Sequence, residues 1–250
     1  MFNTLIQQPI QASLVFFYHL LGGNLGFAII ATTLAIRLIL IPLTLPSLKS
    51  AKKIQSLKPE LDDLKNLHGS NKQALQIAQL ELYKKHQINP AAGCLPQIVN
   101  LVVLIGLYNV LLQFLKTGTI NSSSANLSFF WMNLAQPDHL YIIPLVAGVT
   151  QFILALMLMP ATSTAAEKTL ALQTKSKVDD KQAQDMSGMA ETMQQQMLYM
   201  MPIMTVFISL KFPAGLGVYW IFTTLFSIVQ QYSISGLGGL AKYVKLRPQQ

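Results

Sequence analysis

The stretch ATTLAIRLILIPLTL, residues 31–45, places a single arginine, Arg37, inside an otherwise uncharged apolar run. A guanidinium at the centre of a membrane helix costs roughly 2.5 to 3.5 kcal/mol on insertion scales. The run from Leu25 to Leu45 has 21 residues, and about 20 apolar residues are enough to cross a bilayer. What solvates this charge therefore decides how the whole chain is interpreted.

The composition indicates a membrane protein. Of the 250 residues, 52% are hydrophobic and 11% are charged, whereas soluble domains carry about 25% charged residues. Apolar runs free of acidic side chains predict five transmembrane helices and thus an all-α, polytopic membrane protein. The predicted spans are residues 24–45, 94–115, 139–159, 197–211 and 214–234.

The segments between the spans set the predicted topology. Eight lysines and four acidic residues lie between Pro46 and Pro90, whereas residues 1–24 contain no lysine or arginine. The positive-inside rule then places the N-terminus outside and the C-terminus in the cytosol. The predicted segments are an outer interfacial amphipathic helix (1–23), a cytosolic helical hairpin (46–91), an outer loop (116–138), a cytosolic loop (160–196) and a basic cytosolic tail (235–250).

Within the predicted hairpin, apolar residues recur at spacings of three and four on both sides of HGSN, residues 68–71. This pattern predicts two antiparallel amphipathic helices. The predicted seam residues are Ile54, Leu57, Leu61, Leu64, Leu75, Ala78 and Leu82. Two interpretations remain open: a solvated connector, or a mobile docking surface at the cytosolic mouth of the helical core.

Arg37 would lie about 3 Å past the membrane midplane, too deep for its side chain to reach the headgroups. Because the predicted spans contain no aspartate or glutamate, a water-filled cavity is the remaining way to solvate it. Polar side chains at helical spacing could line that cavity, although such residues also serve as ordinary interhelical contacts. They are Thr33, Arg37 and Thr44 in the first span, Gln97 and Asn100 in the second, and Trp220, Thr223, Thr224, Ser227, Gln230 and Gln231 in the fifth.

Other chemistry has little support in the sequence. Cys94 is the only cysteine, the four histidines are scattered, and we find no phosphate-binding loop, nucleophile elbow or metalloprotease motif. The sequence therefore predicts no enzyme, no cofactor and no metal site. The net charge of +8 indicates topology and attraction to anionic lipid or RNA-rich partners, and not DNA binding.

Three stretches resemble the core of the YidC/Oxa family of membrane protein insertases, in the same order and at similar separations. They are LAIRLILIPLT (34–44), INPAAGCLPQIVN (88–100) and MMPIMTVFISLKFPAGLGVYWIFTTLFSIVQQ (200–231). The resemblance implies that Arg37 lies in a hydrophilic groove open to cytosol and lipid but closed outside. It also implies that Asn100 replaces a groove glutamine, and that Tyr219 and Trp220 supply an aromatic contact. Where the family often has Gln-Met-Pro, this chain has Asn100, Leu101 and Val102, so a proline kink is not expected.

The implied function is a membrane protein insertase and chaperone that takes hydrophobic nascent segments into the groove and releases them laterally into lipid. The implied partners are nascent membrane proteins, the ribosome, a targeting factor or the Sec translocon, and lipids of a bacterial plasma membrane. The expected groove residues are Arg37, Thr33, Gln97, Asn100, Tyr219, Trp220, Thr223, Thr224, Ser227 and Gln231. The alternative is a transporter or channel for a small anionic solute, although transporters usually show internal repeats, which we do not find here.

Overall fold

The computed structural model describes residues 3–68, 71–88, 95–117, 119–120, 123–124, 126–158 and 186–242, and these are mostly helical, as expected. The α-helices are α1 (Gln8–Leu20), α2 (Leu25–Ile39), α3 (Ile41–Ser56), α4 (Lys58–His68), α5 (Lys72–Lys85), α6 (Leu95–Thr117), α7 (Ile142–Leu158), α8 (Met186–Ser209) and α9 (Ala214–Ser235). A π-helical turn (Asn3–Gln7) precedes α1, and a 3-10 helix (Gly238–Lys242) follows α9. Two antiparallel pairs are formed by β1 (Thr119–Ile120) with β2 (Ser123–Ser124) and by β3 (Ser128–Phe129) with β4 (Met132–Asn133).

Several predicted features fall partly or wholly outside the described residues. Cys94 is one of them. Two others are most of the predicted cytosolic loop (residues 160–185) and the end of the basic tail (residues 243–250). The same holds for residues 69–70 and 89–91 of the predicted hairpin, for the neighbouring residues 92–93 and 159, and for four positions of the outer loop.

The N-terminal helix packs on the helical bundle through one face. Gly22 and Gly23, with φ of +72° and +73°, form the turn that reverses the chain into α2. Asn24 caps α2, because its Oδ1 accepts hydrogen bonds from the N–H groups of Gly26 (3.0 Å) and Phe27 (3.3 Å). The buried side chains of α1 are Ile10, Leu14 and Tyr18. These contacts place α1 against α2 and α6, and its interfacial position in a membrane stays a prediction.

The first predicted span is not one straight helix. α2 ends at Ile39, and α3 continues from Ile41 at an angle of 68°. Pro42, in the first turn of α3, explains the break, since it has no N–H to donate to the carbonyl of Leu38 and its ring would clash there. The expected stripe through Arg37 and Thr44 is therefore divided between two helices of different direction.

Fewer of the described helices are long and apolar enough to cross a membrane than the five that the sequence predicts. Among the described helices, Pro96–Phe114 of α6 is long and apolar enough to cross a bilayer unbroken, and the bent α2–α3 pair would count as a second span. Ile142–Leu158 and Leu198–Ser209 are shorter apolar helices. The count of five spans stays a prediction.

The main core lies at the end of the bundle where α2, α7 and α9 begin, which we call the outer end because the predicted topology places it outside. It combines buried side chains from α1, α2, α6, α7, α9 and the β3–β4 hairpin. α7 packs against both α8 and α9, whereas α8 and α9 touch little despite the short connection through Lys211 and Pro213. α9 also packs along α2, but α2 and α6 make at most slight direct contact. A cleft therefore separates α2 from α6.

Residues 126–138 close the outer end. The first N–H groups of a helix have no partner within the helix, and this segment supplies acceptors for α2, α7 and α9. The pairs are Leu25 N with Asn126 O (3.4 Å), Ala214 N with Gln136 O (2.8 Å), Gly215 N with Leu134 O (3.1 Å) and Ile143 N with Asp138 Oδ2 (2.8 Å). One segment thereby fixes the starts of three helices.

At the opposite end, α3 is tied to two helix C-termini. Lys52 Nζ donates to the carbonyl of Ile234 in the last turn of α9 (2.6 Å), and Gln55 Nε2 donates to the carbonyl of Leu158 at the end of α7 (2.5 Å). A cation at a helix C-terminus also interacts favourably with the helix dipole. These bonds position the base of the helical pair that follows.

α4 and α5 pack through a small apolar seam. Asn71 caps α5 by accepting from the N–H of Ala74 (3.1 Å), and His86 lies 3.4 Å from Glu60 across the pair. Burial in the seam raises the pKa of Tyr83 above its usual value. The seam consists of Ile54, Leu57, Leu61, Leu64, Leu82, Tyr83 and Ile88.

Candidate functional site

The cleft between α2 and α6 contains the cavity that we assign as the candidate site. It contains about 200 Å³ of space not filled by atoms, part of which is open to the surroundings. The last two turns of α2 form one wall, the first turns of α6 form the other, and α9 contributes Tyr219. The lining residues are Thr33, Ile36, Arg37, Leu40, Val99, Asn100, Val103 and Tyr219.

A hydrogen-bonded group of three side chains spans the cleft. Arg37 Nη2 donates to Asn100 Oδ1 at 3.0 Å, and Tyr219 Oη donates to the same Oδ1 at 2.8 Å. Tyr219 Oη also lies 3.3 Å from the carbonyl oxygen of Asn100. One amide oxygen thus accepts hydrogen bonds from side chains on two other helices, and it links α2, α6 and α9 where α2 and α6 make at most slight direct contact.

The position of Arg37 within α2 stabilises the charge of its guanidinium. Because the chain bends after α2, Arg37 lies in the last turn of that helix, where the unpaired carbonyls concentrate negative partial charge. Among the described acidic residues, none lies within 4.0 Å of its guanidinium. The guanidinium has five N–H donors and gives one hydrogen bond to Asn100, so donors remain for water or for a bound anion.

The cavity is narrow and mostly apolar. Its free centre has room for about one water molecule. A second void of about 170 Å³ continues from it towards the outer end, between Ile10, Thr32 and Leu107, and has no room for water. Beyond it lie the main core and the residues that cap the outer end. The cleft is therefore blind on that side.

The structure brings together four of the residues predicted for the site, namely Thr33, Arg37, Asn100 and Tyr219. Gln97, which was predicted to share a face with Asn100, is exposed and does not line the cavity. The predicted residues of α9 below Tyr219 do not line it either. They are Trp220, Thr223, Thr224, Ser227 and Gln231.

The hydroxyl groups on α9 bond mostly within their own helix. Thr224 Oγ1 donates to the carbonyl of Trp220 (2.9 Å) and lies 3.4 Å from Gln151 on α7. Ser227 Oγ donates to the carbonyl of Thr223 (3.0 Å). Gln231 is 1% exposed, and neither atom of its amide has a hydrogen-bond partner among the described residues. These side chains contribute to packing between α9 and its neighbours rather than to the cavity around Arg37.

Sequence reasoning missed the apolar residues of the cavity wall. Ile36 and Leu40 flank Arg37 on α2, and Val99 and Val103 flank Asn100 on α6. Helical spacing from the two polar residues could have identified Leu40 and Val103, since each lies three positions further along its helix and so shares a face with the polar residue. Ile36 and Val99 could then have been found four positions before Leu40 and Val103. A search restricted to polar side chains could not find them.

Comparison with known proteins gives consistent matches over most of the chain. Residues 16–238 match the family model for the 60Kd inner membrane protein. Membrane protein insertase YidC of Fusobacterium nucleatum is 37% identical over 216 residues, which cover 86% of this chain and 88% of that protein. Membrane protein insertase YidC 2 of Bacillus anthracis is 33% identical, with 94% and 81% covered. Membrane protein insertase MisCA of Bacillus subtilis is also 33% identical, with 91% and 77% covered.

A solved structure shares the fold. It is a crystal structure of an active YidC insertase with the first transmembrane domain resolved, with a TM-score of 0.60 and 23% sequence identity. The match covers 90% of this chain and 46% of that chain. The family match over most of the sequence and the relatives above 30% identity confirm the resemblance noted from the sequence, and the chain belongs to the 60Kd inner membrane protein family, which includes the YidC insertases.

Proposed function

We propose that this protein is a membrane protein insertase that admits hydrophobic nascent segments at the cleft between α2 and α6. The observation that carries the proposal is the Arg37–Asn100–Tyr219 group, which bridges two helices that make at most slight direct contact. A cation that is held across a blind, mostly apolar cleft is suited to attract an acidic or polar segment part of the way into the membrane.

The energetic role of the cleft is to shorten the path through hydrocarbon. An extended polar segment that crosses a bilayer loses its backbone hydrogen bonds to water, at several kcal/mol per unsatisfied group. The free donors of Arg37 would replace some of those bonds at intermediate depth. The apolar part of the client would then leave sideways into lipid, driven by burial of about 25 cal/mol per Å².

The rims of the cleft suit lateral release. Leu38 and Ile39 on α2 and Ile98 and Leu101 on α6 are exposed large hydrophobic side chains. An exposed apolar surface of this kind is unusual for a soluble domain and is typical of contact with lipid. A client segment that leaves between these rims would pass directly from apolar protein surface to hydrocarbon.

The cleft must widen for a client to enter. A helix with side chains is about 10–12 Å across, and the cavity of about 200 Å³ is too small to hold one. We therefore propose that a client carboxylate or carbonyl replaces Asn100 Oδ1 as the acceptor for Arg37. That exchange would release the side-chain link between α2 and α6 and allow the two walls to separate.

The proposed setting is a bacterial plasma membrane, with the N-terminus outside and the C-terminus in the cytosol. The lysine-rich α3–α5 segment would then face the ribosome, a targeting factor or the Sec translocon, and it would meet anionic lipid at the membrane surface. The orientation is testable by protease protection of tags placed at the two termini.

Reconstitution tests the proposal. Purified protein in liposomes should insert a short single-span client with an acidic outer segment without any nucleotide, and the Arg37→Ala variant is the matched control. A requirement for ATP hydrolysis would contradict the mechanism. Flux of a small anion through the liposomes, with no insertion of polypeptide, would instead support the transporter alternative.

A further inference from the structure

The outer end carries exposed aromatic side chains that the proposed insertion reaction does not use. Phe130 is 77% exposed, Tyr141 is 63% exposed and Trp131 is 51% exposed. The centre of the Phe130 ring lies 6.4 Å from that of Phe27, at the start of α2, and 6.0 Å from that of Trp131. We call these four residues the aromatic patch.

Two of these residues have an unusual backbone conformation. Phe130 has φ of +51° and Tyr141 has φ of +57°. Bulky residues rarely adopt this left-handed region, where glycine or asparagine is usual. Phe130 also occupies the first central position of the two-residue loop between β3 and β4, a position that takes positive φ in tight hairpins. Such backbone outliers cluster at functional sites, so the exposed rings are candidates for a binding role.

The patch stands on a rigid base. Phe129 packs so closely on α2 that a Cβ added at Gly26 would come within 2.1 Å of its ring. The N–H of Leu134 donates to the carbonyl of Leu127 (2.9 Å) and closes the hairpin. Trp131 Nε1 donates to Asp138 Oδ1 (3.3 Å). The backbone carbonyl of Asp138 accepts a hydrogen bond from the N–H of Tyr141 (3.2 Å). The backbone that carries the aromatic rings is therefore held by the core and by hydrogen bonds.

The chemistry of the patch fits the headgroup region of a membrane. Residues 126–142 contain no lysine or arginine, and their single acid, Asp138, is buried, so the patch itself supplies no cation to attract anionic lipid. Tryptophan and tyrosine concentrate at membrane–water interfaces because they combine an apolar ring with a polar group. Along α7, Tyr141 is followed at intervals of four by the exposed Leu145 and Val149, which continue the same face into the hydrocarbon.

We propose that the aromatic patch is an interfacial anchor that inserts Phe130, Trp131 and Tyr141 into the headgroup boundary of the outer leaflet. It would fix the depth of the outer end while the opposite half of the cleft opens. The partner is the lipid surface itself, with no requirement for anionic headgroups.

Tryptophan fluorescence tests this assignment directly. The chain has two tryptophans, so a Trp220→Phe variant leaves Trp131 as the single probe. The variant is reconstituted in phosphatidylcholine vesicles that carry bromine either near the headgroups or near the bilayer centre. We expect Trp131 to lose more fluorescence with the shallow bromine than with the deep bromine, and to resist quenching by iodide in the water. Added salt or anionic lipid should leave both results unchanged.

A second variant separates anchoring from folding. Phe130→Asn keeps a residue that tolerates positive φ but removes the ring, so it should preserve the melting temperature in detergent, shift Trp131 emission to the red and weaken quenching by shallow bromine. Ser128→Ala, at an exposed neighbouring position, is the matched control and should change neither property. Strong iodide quenching with no lipid quenching would overturn the proposal. Protection of Trp131 only after a client is added would overturn it too, because the partner would be a polypeptide. These readouts do not require insertase activity, so they stay separate from the test of the proposed function.

Discussion

Replacement of Asn100 by leucine should destabilise the protein because it removes the amide oxygen that accepts hydrogen bonds from Arg37 and Tyr219. The two side chains are similar in size, so the change removes the acceptor without opening a large cavity. Asn100 Oδ1 accepts one hydrogen bond from a charged guanidinium and one from a phenol. The first is worth about 1.5–3 kcal/mol and the second about 0.5–1.5 kcal/mol, so the expected loss of unfolding free energy is roughly 2–4.5 kcal/mol.

The same substitution should cost less when Arg37 is absent. In an Arg37→Met background only the bond from Tyr219 remains to be lost, so the double-mutant cycle should give a coupling of about 1.5–3 kcal/mol. Arg37→Met alone should hardly lower stability, since it removes a charge that has no described acidic partner.

The assay is unfolding of the four proteins in mixed micelles by increasing SDS, followed by circular dichroism. Tyr219→Phe serves as a control that removes only the neutral hydrogen bond. If the effects of the Asn100 and Arg37 substitutions add to within about 0.5 kcal/mol, the two side chains do not interact energetically, and the bridge across the cleft would have no part in holding it closed.

Four further predictions follow from other residues. Arg37→Lys should retain insertion of clients with acidic outer segments, whereas Arg37→Ala should abolish it for these clients and spare neutral ones, measured by protease protection in liposomes; equal loss for both would exclude an electrostatic role. Deletion of residues 58–85, closed by a short flexible linker, should leave the helical core folded by circular dichroism but slow client capture in a time course; unimpaired capture would show that α4 and α5 are only a connector. Lys52→Met should weaken the link between α3 and α9 by about 0.3–1 kcal/mol and speed hydrogen exchange in α3, while unchanged exchange would show that the bond contributes nothing. Because burial raises the pKa of Tyr83, its ring stays neutral when the unfolded side chain ionises near pH 10, so the α4–α5 seam should lose stability above about pH 10. Hydrogen exchange at high pH should detect this loss in the native chain, and Tyr83→Phe should remove it.

The sequence predicted the helical class and the family because both depend on patterns that are local in the chain. Apolar runs and the arginine within residues 34–44 are visible without any knowledge of the fold. The bend of 68° between α2 and α3 was not predicted, since a hydrophobic run has the same composition whether it is straight or broken. Pro42 carried the signal, but proline is also common in membrane helices.

The site was predicted in part. Arg37 and Asn100 were expected to lie in a groove, and the structure joins them directly at 3.0 Å. Helical periodicity could not show that Gln97 turns outward or that Thr224 and Ser227 bond to their own helix. Those outcomes depend on how α9 is rotated against α7 and α2, which is a property of tertiary packing. The aromatic patch also lay outside the prediction, because its strain is a backbone feature with no sequence period.

Site-specific crosslinking tests the central claim most directly. A photoreactive amino acid is placed at Val103 on the cavity wall or, as a control, at the exposed Val149 on α7, and a stalled client is presented to each protein during insertion. The proposed mechanism predicts that the client's apolar segment crosslinks to position 103 and not to position 149, and that Arg37→Ala reduces the crosslink for an acidic client. Efficient insertion with no crosslink at position 103, or with equal crosslinks at both positions, would contradict passage through the cleft between α2 and α6.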